Sequence, residues 1–207
     1  MLWVGWFGFN AGSGLVANGD AAQTLLVTHI SAATATIVWS LAEKVKHGKA
    51  SVLGAVTGSI AGLAAITPAS GDVGPIGGLV IGATAGFICW IASTTVKSKF
   101  GYDDSLDVVG VHGVGGIVGT LMVAFFASTT LGGKGIISTP DAETYSIAAQ
   151  FLVQLQASAI VIVYTLIVSV IILYLVKAIC GGSLRASESE EEEGLDLTAH
   201  GESAYNN

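Results

Sequence analysis

From Ser146 onward the chain carries no charged side chain until Lys177. The apolar segment continues to about Ile179. As a helix rising 1.5 Å per residue it reaches ~50 Å, against ~30 Å for the hydrocarbon core of a bilayer. A run of this length must cross a membrane, and must tilt, kink or protrude to do so. Composition agrees: 52% of the 207 residues are hydrophobic and 11% are charged, where a soluble domain has about 25% charged residues. The net charge of −7 is a property of the tail. Glu188, Glu190, Glu191, Glu192, Glu193, Asp196 and Glu202 all fall in the last twenty residues. The rest is close to neutral, which argues against a nucleic-acid partner. Cys89 and Cys180 lie inside or at the end of apolar segments and read as packing residues, not as a disulfide framework.

The chain reads as an all-α polytopic membrane bundle over 1–180, followed by an acidic tail over 181–207. A partial first span covers 2–17, and further spans cover about 24–42, 50–66, 76–96, 105–131 and 146–179. Asn18-Gly19-Asp20, Glu43–Lys49, Thr67–Asp72, Lys97–Asp104 and Gly132–Glu143 separate them. Pro75 opens the fourth span at a favoured early helix position. The first stretch is short for a crossing that needs roughly 20 residues. Met1 is followed at once by Leu-Trp-Val-Gly-Trp-Phe, with no signal-peptide pattern. The expectation is a chain that starts part-way into a helix and is truncated at its N-terminus.

Basic residues orient the bundle. Lys44, Lys46 and Lys49 share one loop, Lys97 and Lys99 another, and Lys177 and Arg185 follow the last span. With alternating spans all fall on one side, opposite loops that hold Lys134, Asp20, Asp72, Asp141 and Glu143. The positive-inside rule then puts the tail in the cytoplasm of a multi-pass cell-membrane protein. Glycines recur four residues apart at Gly8 and Gly12, at Gly54, Gly58 and Gly62, at Gly78, Gly82 and Gly86, and at Gly115 and Gly119. Such faces let helix backbones approach closely.

One titratable ring stands inside this apolar frame. His112 lies in Asp107-Val-Val-Gly-Val-His-Gly-Val-Gly-Gly116, and the flanking glycines leave room for it. It is either a buried structural histidine or a neutral imidazole on a conduction path, passing hydrogen bonds or protons. A single histidine forms no metal site, and no cofactor is implied. Asp107 precedes it by five residues, about 500° of helical rotation, so the two do not share a face. Asp107 is either a helix cap that suits the dipole or a functional charge. Asp103 and Asp104 read as loop solvation or as partners of nearby lysines. His29 reads as an interfacial or interhelix hydrogen-bonding residue, and His47 and His200 as solvated. Trp3, Trp6, Phe7 and Phe9 form an aromatic group for packing or a membrane-interface belt. Aromatic faces with the Ser13 hydroxyl could also attract a cation.

Gly5-Trp-Phe-Gly-Phe-Asn-Ala-Gly-Ser13, the Asp107–Gly116 stretch, and the tail Glu193-Gly-Leu-Asp-Leu-Thr-Ala-His-Gly-Glu-Ser-Ala-Tyr205 together resemble the ammonium transporters, the Amt branch of the ammonium transporter/Rhesus family, in its bacterial form. The resemblance covers essentially the whole chain. It implies a non-enzymatic, trimeric, channel-like transporter of eleven helices built as inverted repeats. This chain corresponds to the end of helix six through helix eleven and the tail. Ser13 would help form an outer ammonium recruitment site, and Phe9 would be one of two gate phenylalanines. Trp6 would line the pore, His112 would be the second of two pore histidines, and Asp107 would hold the cytoplasmic half of the pore in shape. The tail would couple subunits and answer to a PII-type nitrogen-signalling protein. The first pore histidine, the other gate phenylalanine and the recruitment-site tryptophan would belong to the other repeat, so the 207 residues alone are expected not to transport. An ammonium-sensing membrane protein and an inactive gene fragment are the alternative readings.

Overall fold

The computed structural model describes residues 1–135 and 145–203. The fold is all-α. In chain order the helices are α1 (Leu2–Gly12), α2 (Gly19–His47), α3 (Val52–Ile66), α4 (Pro75–Phe100), α5 (Val108–Phe126), α6 (Ile147–Ile179) and α7 (Glu188–Glu193). The helices α2, α4, α5 and α6 are long and apolar enough to cross a membrane, and α3 is a shorter apolar helix. The expected 132–143 loop falls largely outside the described residues, as do the last residues of the tail motif. The chain divides into two units, Met1–Ser158 and Ala159–Asn207.

In the first unit the ends of the helices follow local chemistry. The Asn18 side chain accepts the Asp20 and Ala21 amides, each at 3.1 Å, and so starts α2. Gly48 ends it at φ 78° with its amide on the Lys44 carbonyl. The Ser51 hydroxyl caps α3 through the Gly54 amide at 2.8 Å. Glu43 closes the intervening turn by accepting the Ser51 amide at 2.7 Å. Pro75 stands in the first turn of α4.

α2 is the hub. Its Ser31 is fully buried and receives both α3 and α4. A side-chain carbon at Gly62 would lie 2.5 Å from the Ser31 carbonyl oxygen, and one at Gly82 would collide with the same backbone from the other side. The Ser31 hydroxyl donates to the Gly62 carbonyl at 2.9 Å. Lipid tails are as apolar as the side chains, so close backbone approach and such hydrogen bonds hold the bundle together. Leu63, Ile66, Ile81, Val27 and Val73 are fully buried around this junction. Gly8 and Gly12 behave differently: neither has a neighbour within 4 Å of where a side chain would begin.

α3 has 15 residues and rises only about 22 Å. The segment 67–74 follows it without regular helix and is tied to α2 by the Gln23 amide donating to the Val73 carbonyl at 3.2 Å. It lines a cavity through Thr67, Ser70, Gly71 and Asp72. At one end of α2, Asp20 pairs with Lys134, whose amide donates to the Asp72 carbonyl at 2.9 Å. At the other end, the Lys46 ammonium sits 5.2 Å from the Trp90 ring centre and Lys97 pairs with Asp107. The acidic and basic loops of this unit thus occupy opposite ends of the hub.

In the second unit α6 continues without a buried residue. Its apolar side chains are exposed around the circumference, with Ile160 at 69% and Leu166 at 62%, as suits a lipid surrounding. α7 begins with a capping box between Ser187 and Glu190, and Arg185 pairs with Glu191 at 3.2 Å.

Candidate pore-lining site

α1 supplies two of the sequence-predicted residues, Trp6 and Phe9, with Ser13 directly after it, and two side-chain hydrogen bonds fix its register. Asn10 is the one buried residue of α1. Its amide donates to the Thr28 hydroxyl on α2 at 3.0 Å, and that hydroxyl donates to the Thr24 carbonyl at 2.7 Å. One turn earlier the Trp6 indole N–H donates to the Thr67 hydroxyl at 2.7 Å. Thr67 in turn donates to the Leu63 carbonyl at 2.8 Å.

Held in this way, the Trp6 ring lies nearly parallel to the His112 imidazole, at 16° and 6.3 Å between centres. Phe9 meets Trp6 edge-on at 6.1 Å and 78°. Phe9 is 61% exposed, and the His112 ring is exposed as well. The structure therefore brings Trp6, Phe9 and His112 into one aromatic row. Ser13 is not part of the row: at the end of α1 its hydroxyl donates back to the Phe9 carbonyl. It borders a cavity of about 1030 Å³ whose lining includes Asn10, Thr67, Ser70, Asp72 and Tyr145. Thr67 links the two features, since it faces the cavity and holds Trp6.

His112 owes its position to an unusual helix start. Val108–Gly113 is a π-helical turn, and the Val114 amide donates back five residues to the Val109 carbonyl. α4 widens in the same way over Ala92–Val96, where the Lys97 amide donates to the Ala92 carbonyl. The two wide turns pack against each other, with Gly110 so close to Ser93 that any side chain would collide. Of the glycines around the ring, Gly113 and Gly116 do open onto free space. Gly110 and Gly115 instead face the packed side, against Ser93 and Cys89.

The two aspartates exchange the parts the sequence suggests. Asp104 is the cap: its carboxylate accepts the Val108 amide at 2.8 Å and the Val109 amide at 2.9 Å. Asp107 makes no side-chain cap bond and stands at φ 54° in the left-handed region. Its carboxylate pairs with the Lys97 ammonium at 2.8 Å. A cap is sought one residue before the apolar run, and a wide first turn moves it earlier. Sequence reasoning also misses Thr67, Thr28 and Lys97, each of which sits on a different element from the residue it holds; Thr67 is 61 residues away from Trp6. His29 makes ring contacts with Trp3 at 5.3 Å and Phe7 at 6.0 Å; no hydrogen bond to it is found among the described residues.

The model of the Ammonium Transporter Family matches residues 1–205. The chain belongs to the ammonium transporter family. Its relatives are transporters, not enzymes. It is 46% identical to an ammonium transporter of Aquifex aeolicus over 206 residues, which is all of this chain and 47% of that protein. It is 42% identical to an ammonium transporter of Bacillus subtilis, covering 99% of this chain and 49% of that protein. Among solved structures it matches a Sensor Amt Protein with a TM-score of 0.83 at 29% identity, covering 96% of this chain and 46% of that one. It matches Mep2 of Saccharomyces cerevisiae with a TM-score of 0.75 at 32% identity, covering 91% and 43%. This member of the family thus spans about half the length of the curated relatives it matches.

Proposed function

We propose that this chain supplies one wall of an ammonium-conducting pore, with Ser13 and Phe9 at its outer part and Trp6 and His112 along its length. The observation that carries the reading is the Trp6–His112 stack, tied through Thr67 to a polar cavity bordered by Ser13. A bare cation is strongly disfavoured in an apolar pore. Ammonium collected at the polar end would therefore hand a proton to solvent water there, as hydronium, and pass as ammonia along the aromatic row. A neutral imidazole offers one N–H and one bare nitrogen, so His112 can accept from and donate to such a molecule. Asp107, paired with Lys97, would hold the cytoplasmic half of this path in shape. The lysine asymmetry supports a cell-membrane protein with a cytoplasmic tail. Family resemblance supports a homotrimer and a PII-type partner at the cytoplasmic face.

The test is ammonium flux in proteoliposomes carrying a chimera, with these 207 residues in place of the matching segment of the Aquifex aeolicus relative. The chimera should transport, and His112→Ala should impair flux or selectivity. Unchanged flux and selectivity in that variant would remove His112 from the path. The 207 residues alone should give no flux, because the row of Phe9 and His112 is exposed and cannot exclude water.

A further inference from the structure

We propose that Lys97 is a positioning residue for His112. It acts through Asp107 as a latch that keeps the start of α5 in its wide turn and the imidazole against Trp6. The role in transport rests on the pore reading above; the latch itself does not.

The argument runs from backbone to ring. An L-residue other than glycine at φ 54° is uncommon, although aspartate tolerates the left-handed region better than most. Asp107 adopts it immediately before the π-turn that carries His112. A π-turn is seldom retained without a specific reason, and it changes the direction in which each of its side chains points. Were Val108–Gly113 to tighten into ordinary α-helix, the His112 side chain would rotate about the axis of α5 and leave the Trp6 face. Something must therefore hold the wide form. Gly110 against Ser93 permits the fit but does not pull on it. Asp104 caps the first two amides, a bond that an α-helical start would also welcome. The ion pair is different. Lys97 follows directly on the π-turn of α4, and its ammonium reaches across to Asp107 at 2.8 Å, with both side chains nearly three-quarters buried at 28% and 27% exposure. It joins the end of one wide turn to the start of the other. A pair in this position fixes the rotation of Asp107, and with it everything up to His112.

The test uses the full chain in lipid nanodiscs with labelled histidine rings, read by NMR. Stacking on Trp6 displaces the His112 ring-proton resonances by ring current, and a His112→Ala sample assigns them. Lys97→Gln should abolish that displacement, and Lys97→Arg should keep it. Asp107→Asn retains the tolerance for φ 54° but not the charge, so it should match Lys97→Gln, and the double variant should be no worse than either single one. The His29 resonances, which report on its contacts with Trp3 and Phe7, should not move in any of them and so show that the bundle has folded. If Lys97→Gln fails that control, Asp107→Asn decides alone. Retention of the His112 displacement in a folded Lys97→Gln or Asp107→Asn protein overturns the latch. Loss of the displacement, alongside a chimera whose flux ignores His112→Ala, upholds the latch and overturns the pore reading instead.

Discussion

Thr67 holds Trp6 by its indole N–H at 2.7 Å, across 61 residues of sequence. The bond sets the plane of the indole, and the plane of the indole sets the face that His112 stacks on. With the Asn10–Thr28 bond it gives α1 two anchors about one turn apart. A short helix of 11 residues with a single buried side chain has little else to fix it.

Thr67→Val keeps the shape of the side chain and removes the acceptor. It leaves a partly buried indole N–H without a partner, which costs about 1–3 kcal/mol. The expected outcome is a loss of that size in unfolding measured in nanodiscs, together with a weaker ring-current effect of Trp6 on His112. Asn10→Ala should lower stability without moving Trp6, since its bond runs to α2.

The glycine faces separate into those that carry the fold and those that do not. Gly82→Ala drives a methyl group into the Ser31 backbone and should cost at least the 1–3 kcal/mol usual for overpacking. Gly8→Ala meets no atom within 4 Å and should cost nothing, raising stability by about 0.5–1 kcal/mol as alanine does over glycine inside a helix. Side-by-side unfolding of the two variants checks this contrast, which sequence spacing alone does not make.

The all-α class, and the long apolar stretches that become α2, α4, α5 and α6, are legible in the sequence because hydrocarbon thickness imposes length and apolarity on every crossing helix. The pairing of Trp6 with His112 is not legible: 106 positions part them, and their approach depends on where α1 crosses α3 and α5. The wide turns of α4 and α5 are likewise hidden. A π-turn has no composition of its own: Val108–Gly113 is as apolar as the helix after it, Ala92–Val96 carries Ser93, Thr94 and Thr95, and periodicity over five or six residues distinguishes neither from α-helix. This is why the five-residue separation of Asp107 and His112, measured on an ideal helix, misstates their relation, and why Asp104 rather than Asp107 carries the cap.

Asp72 makes stability depend on pH. Burial pushes its carboxyl above the ordinary range, and Lys134 opposes the shift only in part. A carboxyl raised by folding holds its proton more tightly in the folded chain, so stability falls as pH rises from the ordinary carboxylate value through the folded one. Asp72→Asn removes this loss. It should match the parent at low pH and unfold at a higher temperature near neutrality. A variant less stable than the parent at neutral pH would count against burial as the dominant cause.

The tail has the opposite sign. The Ser187 amide donates to the Glu190 carboxylate at 2.8 Å and the Ser187 hydroxyl at 2.7 Å, which holds the carboxyl below its ordinary value. The helix α7 should be ordered above the ordinary glutamate value and fray as pH falls through the lowered one. Amide shifts of Glu188–Glu193 followed through acidification would show it, and Ser187→Ala, which keeps the amide bond and loses the hydroxyl, should weaken the response without abolishing it.

Asp104 offers the sharpest test of how α5 begins. Its carboxylate satisfies the first two amides of the helix, which otherwise have no acceptor because an initial turn has no preceding carbonyls to bond. Asp104→Ala strips both bonds and should cost about 1–2 kcal/mol, the range of a lost N-cap. The loss should be local before it is global: hydrogen exchange at Val108 and Val109 should speed up, while Gly54, capped by Ser51 at the same end of the bundle, stays as protected as before. Asp104→Asn retains one acceptor oxygen and should slow exchange at one of the two amides only. Unchanged protection at Val108 and Val109 in Asp104→Ala would mean that the carboxylate cap is dispensable, and that the Lys97–Asp107 pair governs the start of the helix bearing His112 without it.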